Sequence, residues 1–225
     1  MSNKRSFFSK DKHETALLID PDKFNGDFKE KLPAILKELS PSYFFVGGSF
    51  LSNQRTTEVI RYLKRCFSLP VILFPGDYAQ LVPHADAVLF LSLLSGRKPE
   101  YLAAQQVKAA PLLKQWQLRV LPTAYILIEG NKTTTVQYIT QTLPVPRDKT
   151  DLVLATALAG QYMGMQLIYL EAGSGAHLPI PLETVRAVSE EISLPLIVGG
   201  GIKPSMEKDY FDAGANVVVM GTFFE

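Results

Sequence analysis

The chain has 225 residues, of which 47% are hydrophobic and 20% charged, and its formal net charge is +1. This is the composition of an ordinary globular protein, and the near-zero charge argues against a general nucleic-acid or polyanion binder, so we expect no nucleic-acid partner. The single cysteine, Cys66, excludes an intrachain disulfide framework, and residues 1–14 lack the apolar segment of a signal peptide. We therefore expect a cytoplasmic protein.

Eight short apolar runs recur along the chain, separated by segments of helical length. The runs are rich in β-branched and aromatic residues without polar alternation, as is typical of parallel strands covered on both faces. They occupy residues 15–19, 43–47, 71–74, 87–93, 119–129, 167–171, 194–200 and 217–221. Helices are predicted over residues 28–39, 56–67, 99–116, 149–162, 181–192 and 204–213.

Eight strands with helical crossovers predict an α/β fold, a (β/α)8 TIM barrel, formed as a single domain by residues 1–225. The alternative is an open doubly wound sheet, but the strand count is high for it and no early G-x-G-x-x-G motif is present. The third helix of the barrel, between the third and fourth strands, should be short or absent, because the available residues 78–86 are too few for a full helix. The sequence stops just after the eighth strand, so we expect that a closing C-terminal helix is missing from it.

Two longer stretches need separate interpretation. Residues 152–170 carry no charge over nearly the length that spans a bilayer. Glycine and glutamine residues interrupt this stretch, so we interpret it as a buried helix followed by a buried strand. Residues 130–148 form a long loop between the fifth strand and its helix, on the face of a barrel where long loops are usually functional.

Glycine-rich turns follow the sixth, seventh and eighth predicted strands, as GSG at 173–175, GGGI at 199–202 and GT at 221–222. Backbone N–H groups can approach an anion closely where no Cβ intervenes, and barrels often bind phosphate with the loops after strands seven and eight. One such motif alone could be no more than a tight turn. Three at consecutive strand ends favour a phosphate-binding cradle.

Asp20 ends the first predicted strand, and Ser49 follows the second. Asp20 could cap the turn that follows it, as aspartates commonly do at such places. It could equally bind Mg²⁺ together with the phosphates of a substrate, with Ser49 adding a hydroxyl oxygen. The residues alone leave both interpretations open.

Glu171 ends the apolar sixth strand, directly before the GSG turn. A carboxylate is rarely buried unpaired, because desolvating its charge is costly, and partial burial raises its pKa toward that of a useful base. We therefore expect Glu171 to take a proton from a bound hydroxyl. The alternative is a salt bridge to a lysine or arginine across the mouth of the barrel.

Six motifs together resemble the geranylgeranylglyceryl phosphate synthases and the related bacterial heptaprenylglyceryl phosphate synthases. They are IDPDK (19–23), VGGS (46–49), PVPRDK (144–149), YLEAGSGA (169–176), VGGGI (198–202) and GT-x-x-E (221–225). The resemblance implies Mg²⁺-dependent transfer of a polyprenyl group from its diphosphate to the 3-hydroxyl of sn-glycerol 1-phosphate. The product would be an ether-lipid precursor.

The resemblance also implies roles for individual residues. Asp20 and Ser49 would hold Mg²⁺, Glu171 would be the catalytic base, and Arg97 would face the diphosphate. The glycerol phosphate would bind to Tyr169, Leu170, Glu171, Ala172, Gly173, Ser174, Gly175, Gly200, Gly201, Gly221 and Thr222. We further expect a homo-oligomer and a transient membrane contact through the lipid product.

Some bacterial members of the family carry a lysine two residues before the metal aspartate, where this chain has Leu18. This difference and the GSGA form of the loop favour a geranylgeranyl donor over a heptaprenyl donor. Two other functions stay open. One is a TIM-barrel synthase or isomerase that acts on a sugar phosphate, and the other is a non-catalytic barrel that binds a phosphate ligand or phospholipid.

Overall fold

The computed structural model describes residues 7–224 and forms a closed barrel of eight parallel strands. The strands follow one another around the barrel in chain order, and β8 pairs with β1 to close it. They are β1 (Glu14–Ile19), β2 (Tyr43–Val46), β3 (Val71–Leu73), β4 (Ala87–Leu93), β5 (Arg119–Leu127), β6 (Leu167–Glu171), β7 (Leu196–Gly199) and β8 (Val217–Met220). The predicted (β/α)8 fold is confirmed.

Helices connect most successive strands. Within the described residues they are α1 (Gly26–Leu39), α2 (Thr56–Cys66), α3 (Gln105–Trp116), α4 (Thr135–Thr140), α5 (Thr150–Tyr162), α6 (Leu182–Glu191) and α7 (Glu207–Asp212). A π-helical turn, Glu100–Ala104, precedes α3, and 3-10 turns lie at Tyr78–Gln80, Pro204–Met206 and Thr222–Phe224. Glu225, the last residue of the GT-x-x-E motif, lies outside the described residues, and so would a closing helix.

Helix α1 illustrates how the outer layer is specified locally. It begins after Asn25, whose side-chain oxygen accepts a hydrogen bond from the backbone N–H of Phe28 at 2.9 Å. Such a cap satisfies one of the amide groups that the first turn of a helix leaves without a partner. The buried residues Phe28, Leu32, Ile35 and Leu39 recur at three- and four-residue spacing, so one face of the helix packs on the barrel.

The apolar core has two layers, one inside the barrel and one between the barrel and the helices. Because successive side chains of a strand point to opposite faces, β6 directs Leu167 and Tyr169 into the barrel and Ile168 and Leu170 toward the helices. Glu171 continues the inward series. Its carboxylate is therefore directed into the barrel at the carboxyl end of the strand.

Two segments shape the carboxyl face of the barrel. Between β3 and β4 the chain makes only the 3-10 turn Tyr78–Gln80, which confirms that the third helix is reduced. Residues 130–148, predicted as a loop, instead contain the short helix α4 and a bridge between Ile128 and Val145. Threonine and other β-branched residues dominate the sequence around α4 and have modest helix propensity, so the pattern does not reveal this helix.

Residues 152–170 belong to α5 and β6, which confirms their interpretation as a helix followed by a strand. Across residues 7–224, no helix combines the length and the apolar character needed to cross a membrane.

Candidate active site

A cavity of about 460 Å³ opens at the carboxyl end of the barrel, the end at which TIM barrels carry their active sites. Loops after β1, β2, β3, β6, β7 and β8 surround one part of it, and residues of β4, α3 and α4 line another. The structure thus brings most of the predicted site residues together. Those that line the cavity are Asp20, Ser49, Tyr169, Glu171, Ser174, Gly175, Gly200, Gly201, Gly221 and Thr222.

Three predicted residues of the sixth strand and its loop do not line the cavity. Leu170 and Ala172 are buried on the outer side of the barrel, because they alternate with the inward-facing Tyr169 and Glu171. Gly173 is also buried, but its backbone N–H donates to Oε1 of Glu171 at 2.7 Å. Leu170 and Ala172 hold the strand in place, whereas Gly173 acts on the site through Glu171.

Arg97, which was expected to face the diphosphate, does not lie where that role requires. Its side chain is exposed and lies outside the cavity lining. Its Nη1 donates to the backbone carbonyls of Leu94 at 3.1 Å and Gly96 at 2.8 Å, so the guanidinium folds back onto its own loop. This geometry gives no support to a contact between Arg97 and a diphosphate.

Glu171 is a buried carboxyl group, with 5% of its surface exposed. Burial raises the pKa of Glu171 to about 7, although the N–H of Gly173 and the neighbouring hydroxyl of Tyr169 act in the opposite direction. Among the described residues, no lysine or arginine forms an ion pair with Glu171. The alternative of a salt bridge across the barrel mouth is therefore not what the structure shows.

The hydroxyl of Tyr169 is buried beside Glu171 and makes no hydrogen bond of good geometry to any described residue. The ring packs against Phe74 and Tyr125, at centroid distances of 5.2 and 5.3 Å. Burial, and then the nearby Glu171 carboxylate, raise the pKa of Tyr169 and Tyr125 well above the usual range, so both remain neutral. A neutral hydroxyl beside a carboxylate at a cavity wall is suited to bind an oxygen of a ligand.

Gly199 and Gly200 leave room for the buried carboxylate as well as for a ligand. A Cβ at Gly199 would lie 2.6 Å from the hydroxyl oxygen of Tyr169 and 2.8 Å from Oε2 of Glu171. A Cβ at Gly200 would lie 2.5 Å from Oε1 of Glu171, and Gly200 also has a φ of +90°, which favours glycine. From the sequence, these glycines were explained only by the close approach of backbone N–H groups to a phosphate. The structure adds close packing against Glu171.

The glycine turns after β6, β7 and β8 form a continuous wall of the cavity. The side-chain oxygens of Ser174 and Thr222 are hydrogen-bonded at 2.8 Å and join the loop after β6 to the loop after β8. Gly200 and Gly201, both at positive φ, lie on the intervening loop after β7. The three glycine turns are therefore adjacent and present short side chains and backbone to the cavity.

Asp20 lies at the end of β1 against the loop that follows β2. Its Oδ1 accepts a hydrogen bond from the N–H of Asp22 at 2.9 Å, so Asp20 caps this turn, as one of its two interpretations expected. A Cβ at Gly48 would lie 3.7 Å from this same oxygen, which places the loop containing Ser49 beside the carboxylate.

This donor set bears on which metal the site could hold. No cluster of three or more His, Cys, Asp or Glu side chains capable of holding a metal occurs in the part of the chain that the structure describes. Mg²⁺ is usually bound by only one or two carboxylates together with waters and substrate phosphates. The oxygen groups of Asp20 and Ser49 therefore fit Mg²⁺, and they do not resemble an all-protein cage for a transition metal.

Another part of the cavity is an apolar groove, which a prenyl donor would need but whose position could not be predicted from the sequence. It reaches the outer face of β4, where the chain between β3 and β4 makes only one 3-10 turn in place of a full helix. Its lining includes Leu81, Val88, Phe90, Leu91, Ala109 and Val136. The short segment at residues 78–86 was the available signal, since a missing helix leaves one face of a strand open.

Comparison with known proteins gives a consistent result. The PcrB family matches residues 8–225. The chain is 48% identical over 212 residues to the geranylgeranylglyceryl phosphate synthase of Flavobacterium johnsoniae, which covers 93% of this chain and 87% of the relative. The corresponding enzyme of Korarchaeum cryptofilum is 40% identical over 211 residues, which covers 93% of this chain and 86% of the relative.

A solved structure is similar over nearly the whole barrel. It is the crystal structure of (S)-3-O-geranylgeranylglyceryl phosphate synthase from Thermoplasma acidophilum in complex with its substrate sn-glycerol 1-phosphate. The TM-score is 0.88 and the identity 34%, with 96% of this chain and 87% of that chain covered.

Proposed function

This chain belongs to the PcrB family, and from that premise we propose that it is a prenyltransferase of the geranylgeranylglyceryl phosphate synthase type. The reaction transfers a geranylgeranyl group from its diphosphate to the 3-hydroxyl of sn-glycerol 1-phosphate. It yields an ether-lipid precursor and pyrophosphate. The observation that carries the proposal is one continuous cavity that joins the glycine cradle, the buried Glu171 and the apolar groove.

The acceptor binds through its phosphate at the glycine cradle. Backbone N–H groups around Gly200 and Gly201 and the hydroxyls of Ser174 and Thr222 are donors suited to an anion. The hydroxyl of Tyr169 lies beside the Glu171 carboxylate and is placed to bind an oxygen of the glycerol. The sn-glycerol 1-phosphate bound to the Thermoplasma acidophilum enzyme supports this assignment.

Glu171 is the general base. With its pKa raised to about 7, a substantial fraction of Glu171 is ionised at neutral pH, and the ionised form is a stronger base than an ordinary carboxylate. As the 3-oxygen of the glycerol bonds to the terminal prenyl carbon, its proton passes to Glu171. The bond between that carbon and the diphosphate oxygen breaks, and its electron pair leaves with pyrophosphate.

Mg²⁺ is the metal that we propose for this site, held by Asp20 and Ser49. When bound, Mg²⁺ stabilises negative charge on a diphosphate leaving group. The oxygen character of the two side chains and their adjacent loops support this assignment. Asp22 contributes by tying the loop after β1 to the loop after β2, because its carboxylate accepts from the N–H groups of Ser52 at 2.6 Å and Asn53 at 3.1 Å.

The prenyl chain of the donor occupies the apolar groove beside β4. Burial of hydrocarbon is favourable by about 0.8 kcal/mol for each CH₂ group, so a long chain gains substantial binding energy in such a groove. A sugar phosphate has no part that would use it. The groove therefore favours a prenyl donor over the alternative of a sugar-phosphate synthase or isomerase.

The direct test is to incubate the purified protein with Mg²⁺, geranylgeranyl diphosphate and sn-glycerol 1-phosphate and to detect the ether product by mass spectrometry. The expected result is product formation that depends on all three components, with sn-glycerol 3-phosphate as a matched control for the acceptor. Failure to form an ether with geranylgeranyl or longer donors would contradict the proposal. Homo-oligomerisation, membrane contact and a cytoplasmic location stay predictions.

A further inference from the structure

The charged groups that line the cavity are few, and their signs are unequal. Its carboxylates include Asp20, Asp77 and Glu171, whereas within residues 7–224 its lysine and arginine lining consists of Lys23 and Lys203. Both proposed substrates are polyanions, since a single phosphate monoester already carries about −1.5 to −2 charges at pH 7. Two anionic ligands beside three carboxylates need cations, and the protein supplies these two.

We propose that the two lysines divide the substrates between them: Lys23 binds the diphosphate of the donor, and Lys203 binds the phosphate of the acceptor. This inference rests on the proposed function, and it replaces Arg97 as the basic group for the leaving diphosphate. Lys23 stabilises the charge that develops as pyrophosphate departs. Lys203 completes the glycine cradle with a positive charge.

The position of Lys23 associates it with the donor side of the cavity. It follows the first strand in the same turn as Asp20, and its backbone N–H donates to the carbonyl of Asp20 at 3.1 Å. Asp22 holds this turn against the loop after β2, because its carboxylate accepts hydrogen bonds from the backbone N–H groups of Ser52 and Asn53. Lys23 therefore projects from a fixed turn that also carries the proposed metal ligand.

The position of Lys203 associates it with the acceptor side. It lies two residues beyond Gly201, and the intervening Ile202 is buried in the core. Its carbonyl accepts a hydrogen bond from the N–H of Met206 at 2.9 Å, which fixes the start of the 3-10 turn Pro204–Met206. Lys203 is an exposed residue and forms no ion pair among the described residues, so it is available for an anion in the cradle.

The order of the strands separates the two lysines in space. Because β8 lies between β7 and β1, the loop that carries Gly221 and Thr222 stands between Lys203 on one side and Lys23 on the other. The hydrogen bond between Thr222 and Ser174 joins that loop to the cradle side. Each lysine thus has its own set of neighbours, and the two should affect different substrates.

The test compares Lys23→Gln and Lys203→Gln with a matched control, Lys31→Gln, at an exposed position of α1 outside the cavity lining. We expect Lys23→Gln to raise the KM for the prenyl diphosphate about 10- to 100-fold, the range for loss of a hydrogen bond to a charged group. We expect Lys203→Gln to raise the KM for glycerol phosphate by a similar factor. Each variant should leave the other KM nearly unchanged, and the arginine variants should recover part of the loss.

Direct binding keeps this test separate from the proposed function. Isothermal titration of each variant with inorganic pyrophosphate and with sn-glycerol 1-phosphate measures the same division without turnover, and thermal unfolding shows whether each variant folds. The assignment of one lysine to each substrate would be wrong if both variants lowered the affinity for the same ligand. It would also be wrong if neither variant lowered an affinity more than the control did. If the wild-type protein bound both ligands but made no ether, the proposed reaction would fail while the division could still hold.

Discussion

The two ends of the cavity are built in opposite ways. The cradle at the mouth consists of backbone and short side chains from three consecutive strand ends, and several of its glycines have no room for a Cβ. The groove at the other end consists mainly of apolar side chains of β4, with Ala109 of α3 and Val136 of α4 beside them. Ligand binding in the cradle therefore depends on the positions of individual atoms, whereas binding in the groove depends on its volume and apolar character. Substitutions at the two ends should have different consequences.

The largest expected effect is the loss of turnover in the variant Glu171→Gln, at the cradle end of the cavity. The amide has the size of the carboxyl group but cannot accept the proton, so turnover should fall about 10²- to 10⁴-fold, the range for loss of a general base. Calorimetry should show that glycerol phosphate still binds. The matched control is Glu129→Gln, which removes an exposed carboxylate that follows β5 outside the cavity lining. An unimpaired rate in Glu171→Gln would exclude Glu171 as the base.

The same group makes the rate and the stability depend on pH in opposite directions. Since the base must be ionised, kcat/KM should rise as the pH increases through about 7, the pKa of Glu171 in the folded chain. The ordinary value for the carboxyl group is 4.5, so between these pH values the folded chain holds a proton that the unfolded chain has lost. The free energy of unfolding should therefore fall by on the order of 3 kcal/mol as the pH rises through this window.

Chemical denaturation at a series of pH values measures that dependence. Glu171→Gln should lose most of it and become more stable than the wild-type protein above neutral pH, even though its activity is lower. Equal pH profiles for the two proteins would show that burial of Glu171 does not shift its ionisation in the way described.

A smaller effect is expected from an added methyl group in the cradle. Gly200→Ala places a Cβ against Oε1 of Glu171, and Gly164→Ala is the control, because Gly164 has a similar φ of +84° but no atom within 4 Å of an added Cβ. Both variants should lose stability from backbone strain. Overpacking of this kind costs about 1–3 kcal/mol, so Gly200→Ala should also weaken glycerol phosphate binding about 10- to 100-fold. Equal affinities in the two variants would show that strain, and not contact with Glu171, determines the need for glycine.

The smallest effect is expected at the groove end and should depend on the donor. Ala109→Phe adds a ring inside the groove, so kcat/KM for geranylgeranyl diphosphate should fall about tenfold, since overpacking costs about 1–3 kcal/mol. A shorter donor such as dimethylallyl diphosphate should be affected less, and the KM for glycerol phosphate should not change. An equal loss for long and short donors would mean that this part of the cavity does not hold the prenyl chain.

The cradle and the groove also differ in how far the sequence predicted them. The glycine turns and Glu171 occupy contiguous motifs at strand ends, so a barrel prediction was enough to bring them together. Arg97 was assigned by resemblance, but local hydrogen bonds to the carbonyls of its own loop determine where its side chain lies. Helix α4 was not predicted, because its β-branched residues have low helix propensity. Val136 on that helix nevertheless lines the groove.

The alternation of apolar runs and helical segments was sufficient to determine the barrel, because parallel strands joined by helices have few ways to close. The same sequence indicated a carboxylate beside a glycine turn, since Glu171 ends a strand whose residues are otherwise buried. Only the tertiary structure decided what surrounds that carboxylate and where the prenyl chain can bind. Both depend on packing between separate elements: Gly200 against Glu171 at the mouth, and α3 and α4 beside β4, where the preceding crossover is reduced to one 3-10 turn.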